Sequence, residues 1–210
     1  MTRVSYTSLL LSGGIIAIYL LQLLFPPVSG LSFLAAEFAA EPWTIVTSIF
    51  LHNPGDYMHL LNNLFFLAVF GFMLENIIGT KKFLALYLGG GILANLSAFV
   101  FYPTTPVLGA SGAISAVVAA LAVVRPRDMG IFWGVPVPMW AALLGWIATN
   151  LVGAAASGGG IAYEAHLFGL AAGGTAGLFL RGEHSRAGGG GEVEEDIDLE
   201  QWENRWMRRD

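Results

Sequence analysis

All ten lysines and arginines of this 210-residue chain fall in alternate gaps between its apolar runs. The runs are roughly Ser8 to Phe25, Met58 to Ile78, Phe83 to Tyr102, Ser111 to Val124, Val137 to Ala155 and Tyr163 to Leu180. Arg3 precedes the first, Lys81 and Lys82 divide the second from the third, and Arg125 and Arg127 divide the fourth from the fifth. Arg181, Arg186, Arg205, Arg208 and Arg209 follow the sixth. The remaining gaps carry only acids, Glu37, Glu41, Asp56 and Glu164. Basic residues flanking apolar spans stay cytoplasmic, so the alternation predicts an all-α bundle of six transmembrane helices with both termini inside. Composition agrees, because only 12% of residues are charged, about half the fraction of a soluble domain.

The first run superficially resembles a signal peptide, with Arg3 before it and Ala35 and Ala36 after it. Its apolar stretch exceeds a usual signal core and runs into Pro26-Pro27, so it reads as a retained span. About thirty residues separate runs one and two, long enough to be structured or functional. Within them Leu31 to Leu51 is apolar but broken by Glu37, Glu41 and Pro42, which predicts helical segments lying on the outer leaflet. The membrane domain is expected over residues 1–182. Residues 183–210 read as a glycine linker, Gly188 to Gly191, and an acidic tail in which Leu199, Trp202 and Trp206 share helical spacing. That tail is either solvated cytoplasmic chain or a docking segment for the inner leaflet or a partner.

The fourth run is too short to cross a hydrocarbon layer of about 30 Å. Ser111 precedes Arg125 by fourteen positions, and His166 precedes Arg181 by fifteen. At about 1.5 Å per helical residue both side chains sit about 21–22 Å above the inner boundary. Asn63, sixteen positions before Gly79, reaches about 24 Å, with His59 one turn higher. Polar groups at that depth require a protein-lined, hydrated cavity. The Phe101 to Leu108 connection must dip inward to meet the fourth run, which opens such a cavity from outside.

Each motif has a plain alternative. Gly109-Ala110-Ser111-Gly112 is compatible with small-residue helix packing, with an N-cap serine, or with a nucleophile. It lacks the last glycine of the soluble hydrolase elbow, since Ala113 stands there. His166 heads a helix whose glycines, Gly169, Gly173 and Gly177, recur every four residues and admit close approach of the fourth run. It is either a base for Ser111 or an interfacial histidine. His59 and Asn63 stack at i, i+4 and can aim donors at one point, as stabilisation of an oxyanion requires. A metal site is disfavoured because His52, His59 and His166 lack a suitably spaced carboxylate and no H-E-x-x-H occurs. Cysteine is absent, which excludes disulfides and thiolate chemistry.

Taken together, H-x6-H-x3-N from His52 to Asn63, G-A-S-G at Gly109 to Gly112, and A-H-x2-G-x3-G from Ala165 to Gly173 resemble the rhomboid family of intramembrane serine proteases. The resemblance implies a six-helix rhomboid-like bundle and a Ser111/His166 dyad without a carboxylate. It implies an oxyanion hole from His59, Asn63 and the Ser111 backbone N–H. It makes Gly109, Gly112, Gly169 and Gly173 structural near the site, His52 a brace for the outer loop, and Glu75 a structural residue at the inner end of the second span. It calls for no cofactor, metal or nucleic acid. The partners it implies are transmembrane segments of other proteins and the lipid bilayer of a cell membrane, with the site opening outward. Oligomeric state is left open. One departure concerns Ser115, where many relatives carry an aromatic residue that stacks on the imidazole. The other is Thr44 after Trp43, where some have arginine. A catalytically weak or inactive rhomboid-like protein that binds membrane helices is the alternative. A transporter is disfavoured because the inner half offers little polarity beyond Glu75.

Overall fold

The computed structural model describes residues 4–156 and 160–188, apart from the side chains of 27–29 and 183–188. Six long helices follow one another among these residues: α1 (Thr7–Leu24), α2 (Tyr57–Ile78), α3 (Thr80–Phe101), α4 (Ser111–Val124), α5 (Met139–Ala156) and α6 (Tyr163–Gly188). By length and composition α1, α2, α3 and α5 can each cross a membrane, while α4 is an apolar helix of only 14 residues.

α4 is the axis of the bundle, buried on every side from Gly112 to Ala122. A helix that is apolar all round belongs in such an interior. Its closest neighbour is α6, and the glycine stripe is the reason. A methyl group at Gly169 would run into the backbone carbonyl of Gly112, and one at Gly173 would stand 2.5 Å from Cα of Ala116. One at Gly177 would meet Ala120 Cα at 3.1 Å. On α3, a methyl at Gly91 would lie 3.2 Å from Ala113 Cβ. By contrast α5 buries only Met139, Ala142 and Asn150 and lies at the periphery.

The loop between α1 and α2 consists of short helical turns at Pro26–Leu31, Ala35–Glu37, Thr44–Thr47 and Ser48–Phe50. It packs a small cluster of Phe33, Ile45, Ala98 and Val107, with Phe33, Phe38 and Phe99 meeting edge to face. Hydrogen bonds fasten it, three sets of them to α1, α3 and the segment before α4. Gln22 Nε2 donates to the His52 carbonyl while the His52 N–H donates to Gln22 Oε1, both at 3.0 Å. Asn95 Nδ2 donates to the Ile45 carbonyl (2.8 Å) and Ser48 Oγ (2.9 Å). Phe33 and Val107 exchange backbone bonds at 2.8 and 2.9 Å.

At the other end of α2, the buried Glu75 accepts from the N–H groups of Thr7 (3.1 Å) and Ser8 (2.8 Å) and from Thr80 Oγ1 (2.7 Å). The carboxylate thereby caps the first turn of α1, whose leading N–H groups have no partner within the helix.

The fold departs from the sequence reading in two places. Between α4 and α5 stands a β-hairpin, Met129–Phe132 paired antiparallel with Val135–Pro138. Trp133 and Gly134 turn it with φ of 51° and 79°, both positive as a two-residue hairpin turn of this hand demands. α5 consequently begins at Met139 rather than at Val137, because residues through Pro138 are engaged in the hairpin. α6 also runs past the apolar boundary at Leu180 to Gly188. Hydropathy ends where charge begins, whereas helical hydrogen bonding needs only the absence of a breaker. The remaining linker glycines and the Leu199, Trp202 and Trp206 segment lie outside the described residues.

Candidate active site

Ser111 is the first residue of α4, and the chain reaches it through Gly109, whose φ of +126° excludes other residues without strain. The Gly109 N–H donates to the Ser48 carbonyl at 2.9 Å, so the outer loop holds the entry to α4. Gly109 is also required by space: a Cβ there would come within 2.9 Å of His59 Cε1 and 3.7 Å of Ser111 Oγ. The His59 ring therefore lies over Gly109 beside the serine.

His166 stands in the first turn of α6, and its Nε2 is 2.7 Å from Ser111 Oγ. The close seam between α4 and α6 brings the two helix starts together at that distance. Asn63, buried one turn below His59 on α2, donates through Nδ2 to the His59 carbonyl at 2.8 Å. A carboxamide carries two N–H donors, so one remains for another acceptor. Asp56 caps α2 by accepting from the His59 N–H at 3.1 Å.

His52 is fully buried, with its ring centroid 5.1 Å from that of His59. Burial holds its imidazole well below the ordinary range, at about 4, and the His59 ring pushes the same way. Its buried ring packs beside that of His59. Glu75 lies at the far end of α2 and contributes nothing directly to this cluster.

A cavity of about 950 Å³ opens above these groups, bordered by His59, Asn63, Ser111 and His166. This is room for many waters and for an extended peptide. At its rim the Tyr102 hydroxyl donates to Glu164 Oε2, tying the end of α3 to the start of α6. No cluster of three or more His, Asp or Glu side chains among the described residues is arranged to hold a metal.

Two further side chains at the site, Asn150 and Tyr163, lie outside the motifs singled out from the sequence. Asn150 of α5 is 4% exposed, and its Oδ1 lies 2.8 Å from His166 Nδ1 while its Nδ2 donates to the Trp146 carbonyl at 2.8 Å. Tyr163 meets the imidazole edge to face, with ring centroids 6.3 Å apart. Its ring rests on Gly153, where a Cβ would approach Cζ to 2.5 Å. Ser115 is buried in the seam with α6, below the site, where a Cβ on Gly169 would lie 3.2 Å from its own Cβ. An isolated asparagine within an otherwise apolar run was the available signal for Asn150.

Residues 39–183, 145 of the 210, match the model of the Rhomboid domain. The chain is 31% identical over 145 residues to Rhomboid protein 1, mitochondrial, of Saccharomyces cerevisiae, covering 65% of this chain and 41% of that protein. It is 33% identical over 105 residues to Presenilin-associated rhomboid-like protein A, mitochondrial, of Danio rerio, covering 45% and 27%. With Rhomboid protease GluP of Bacillus subtilis it shares 37% identity over 92 residues, covering 44% and 18%. The chain thus spans less than half the length of each of these relatives. A match over more than two thirds of the chain, joined to this arrangement of helices, leads to one assignment: the chain belongs to the rhomboid family.

Proposed function

We propose that this protein is an intramembrane serine endopeptidase that cleaves transmembrane segments of other membrane proteins near the outer face of a cell membrane. The observation that carries the reading is the 2.7 Å approach of Ser111 Oγ to His166 Nε2 at the floor of a large open cavity. In this reading Ser111 attacks the scissile carbonyl carbon as its hydroxyl proton passes to Nε2. The oxyanion is held by the Ser111 N–H, the free N–H of Asn63 and the His59 ring. His166 then gives the proton to the departing amine, and a water attacks the acyl-enzyme with the same imidazole as base.

The residues in named roles are Ser111 as nucleophile, His166 as base and acid, and His59 and Asn63 as oxyanion donors. Residues 1–182 form the membrane domain with six crossings, and residues 183–210 a cytoplasmic linker and tail. The alternation of all ten basic residues supports both termini inside. By the family resemblance the residue before the cut is small. Helix-breaking residues in the substrate reduce the cost of presenting backbone within the membrane.

The test compares the purified protein with Ser111→Ala on a detergent-solubilised transmembrane substrate, alongside fluorophosphonate labelling. Cleavage and labelling by the parent alone are expected. Equal cleavage by both proteins, or an unlabelled Ser111, refutes the reading.

A further inference from the structure

Asn150 is out of place on its helix. α5 faces mostly outward and buries only two other residues, Met139 and Ala142, both near its other end. An asparagine in such a run is costly unless its amide is fully engaged. Here both ends of the amide are engaged, and with unlike partners.

The orientation of the amide follows from chemistry. Nδ2 lies 2.8 Å from the Trp146 carbonyl, which only accepts, so that end must be the NH2 group. Reversal would place two oxygens against each other. Oδ1 therefore faces His166 Nδ1 at 2.8 Å, and because Oδ1 only accepts, Nδ1 must carry a proton. In a neutral imidazole that leaves Nε2 bare. Nε2 is the nitrogen 2.7 Å from Ser111 Oγ, so the hydroxyl is the donor in that contact.

We propose that Asn150 is a positioning residue for the Ser111/His166 site, fixing the imidazole in the Nδ1–H tautomer and in the ring rotation that turns the Nε2 lone pair to the serine. The same face of α5 offers Gly153 three residues on, where the Tyr163 ring sits before meeting the imidazole edge to face. One helix thus sets the imidazole from two directions. Ser115, lodged in the α4–α6 seam, leaves that work to α5.

The chemical balance is simple. The proton leaving Ser111 Oγ goes to Nε2, the ring becomes a cation with N–H on both nitrogens, and the Nδ1–H stays on Asn150 Oδ1 throughout. Asn150 exchanges no proton. It strengthens its hydrogen bond as the ring gains charge, since such bonds are roughly twice as strong when one partner is ionised.

The proposal rests on the serine protease reading, and the experiment separates the two. Full-length protein labelled with 15N-histidine in detergent reports which imidazole nitrogen of His166 carries the proton, identified by comparison with His166→Gln. Asn150→Leu and Asn150→Asp are measured beside the parent for tautomer, fluorophosphonate labelling rate, kcat and KM. The parent is expected to show Nδ1–H. Asn150→Leu is expected to lose that preference and to lower the labelling rate and kcat about ten- to a hundredfold with KM unchanged. Asn150→Asp, which keeps an acceptor for Nδ1 but turns a second oxygen toward the Trp146 carbonyl, is expected to keep the Nδ1–H tautomer and to recover part of that loss.

A parent ring protonated on Nε2 alone overturns the proposal, and this holds even where Asn150→Leu fails to fold. So does an Asn150→Leu protein with the parent's tautomer and a labelling rate within twofold. A parent that shows Nδ1–H but neither labels nor cleaves refutes the protease reading and leaves the assignment of Asn150 standing.

Discussion

Replacing Gly173 by alanine tests whether the α4–α6 seam sets the distance between Ser111 and His166. The added methyl would lie 2.5 Å from Ala116 Cα and overlap the Ala116 carbonyl. Carbon contacts settle at about 3.5–4.0 Å, so the shortfall is about 1–1.5 Å. Backbone cannot rotate aside as a side chain does, and the helices must part by about that amount. His166 lies seven residues, about two turns, toward the start of α6, and the displacement carries to it along a stiff element. Overpacking of this kind costs about 1–3 kcal/mol. A misplacement of about 1 Å at a reacting pair costs about a hundredfold in rate.

Gly174 is the control, because a methyl there meets nothing within 4 Å. Both substitutions gain alanine's helix propensity, worth up to about 1 kcal/mol. Gly174→Ala should therefore melt at or slightly above the parent temperature in detergent and label with fluorophosphonate at the parent rate. Gly173→Ala should melt several degrees lower and label about a hundredfold more slowly. If the two variants match in both measurements, the seam does not set the geometry of the site.

Glu75→Ala should destabilise the fold by about 3 kcal/mol, since it strands the Thr7 and Ser8 N–H groups and the Thr80 hydroxyl at the start of two helices. Thermal unfolding in detergent at pH 7 measures it, and a change below about 1 kcal/mol contradicts the assigned role. His52 gives a pH dependence whose sign is fixed. Its folded value near 4 lies below the ordinary 6.5, so the unfolded chain binds the proton first. The stabilisation from neutral His52 is whole above pH 6.5 and drains away as pH falls toward 4, by at most about 3 kcal/mol. His52→Gln should show a shallower loss of melting temperature over that window than the parent, and parallel curves would contradict it.

Much of the helical framework is legible in the sequence because most of the apolar runs are long and each is flanked by basic residues on one side. The depth match of Ser111 and His166 is legible because it needs only residue counts and a helical rise, and their polar atoms lie 2.7 Å apart. The spacing of Gly169, Gly173 and Gly177 announces a tight seam before any coordinates. What stays hidden is rotation about a helix axis. Asn150 sits in a run that is apolar on all sides, so no periodicity says which face turns inward. The hairpin hides for a different reason: Met129 to Pro138 is short, and Pro136 and Pro138 argue against a strand except at an edge, which is where a two-stranded ribbon puts them.

The paired bonds between Gln22 and His52 reach across the border of the recognised family region, which begins at residue 39. The unit that must stay intact is therefore larger than the stretch that looks like its kin. Trimmed to residues 39–183, the polypeptide would keep each side chain proposed for hydrolysis yet forfeit the strut that steadies the ground behind His59. Similarity marks only the stretch shared with relatives; the buttress that keeps it in shape starts upstream.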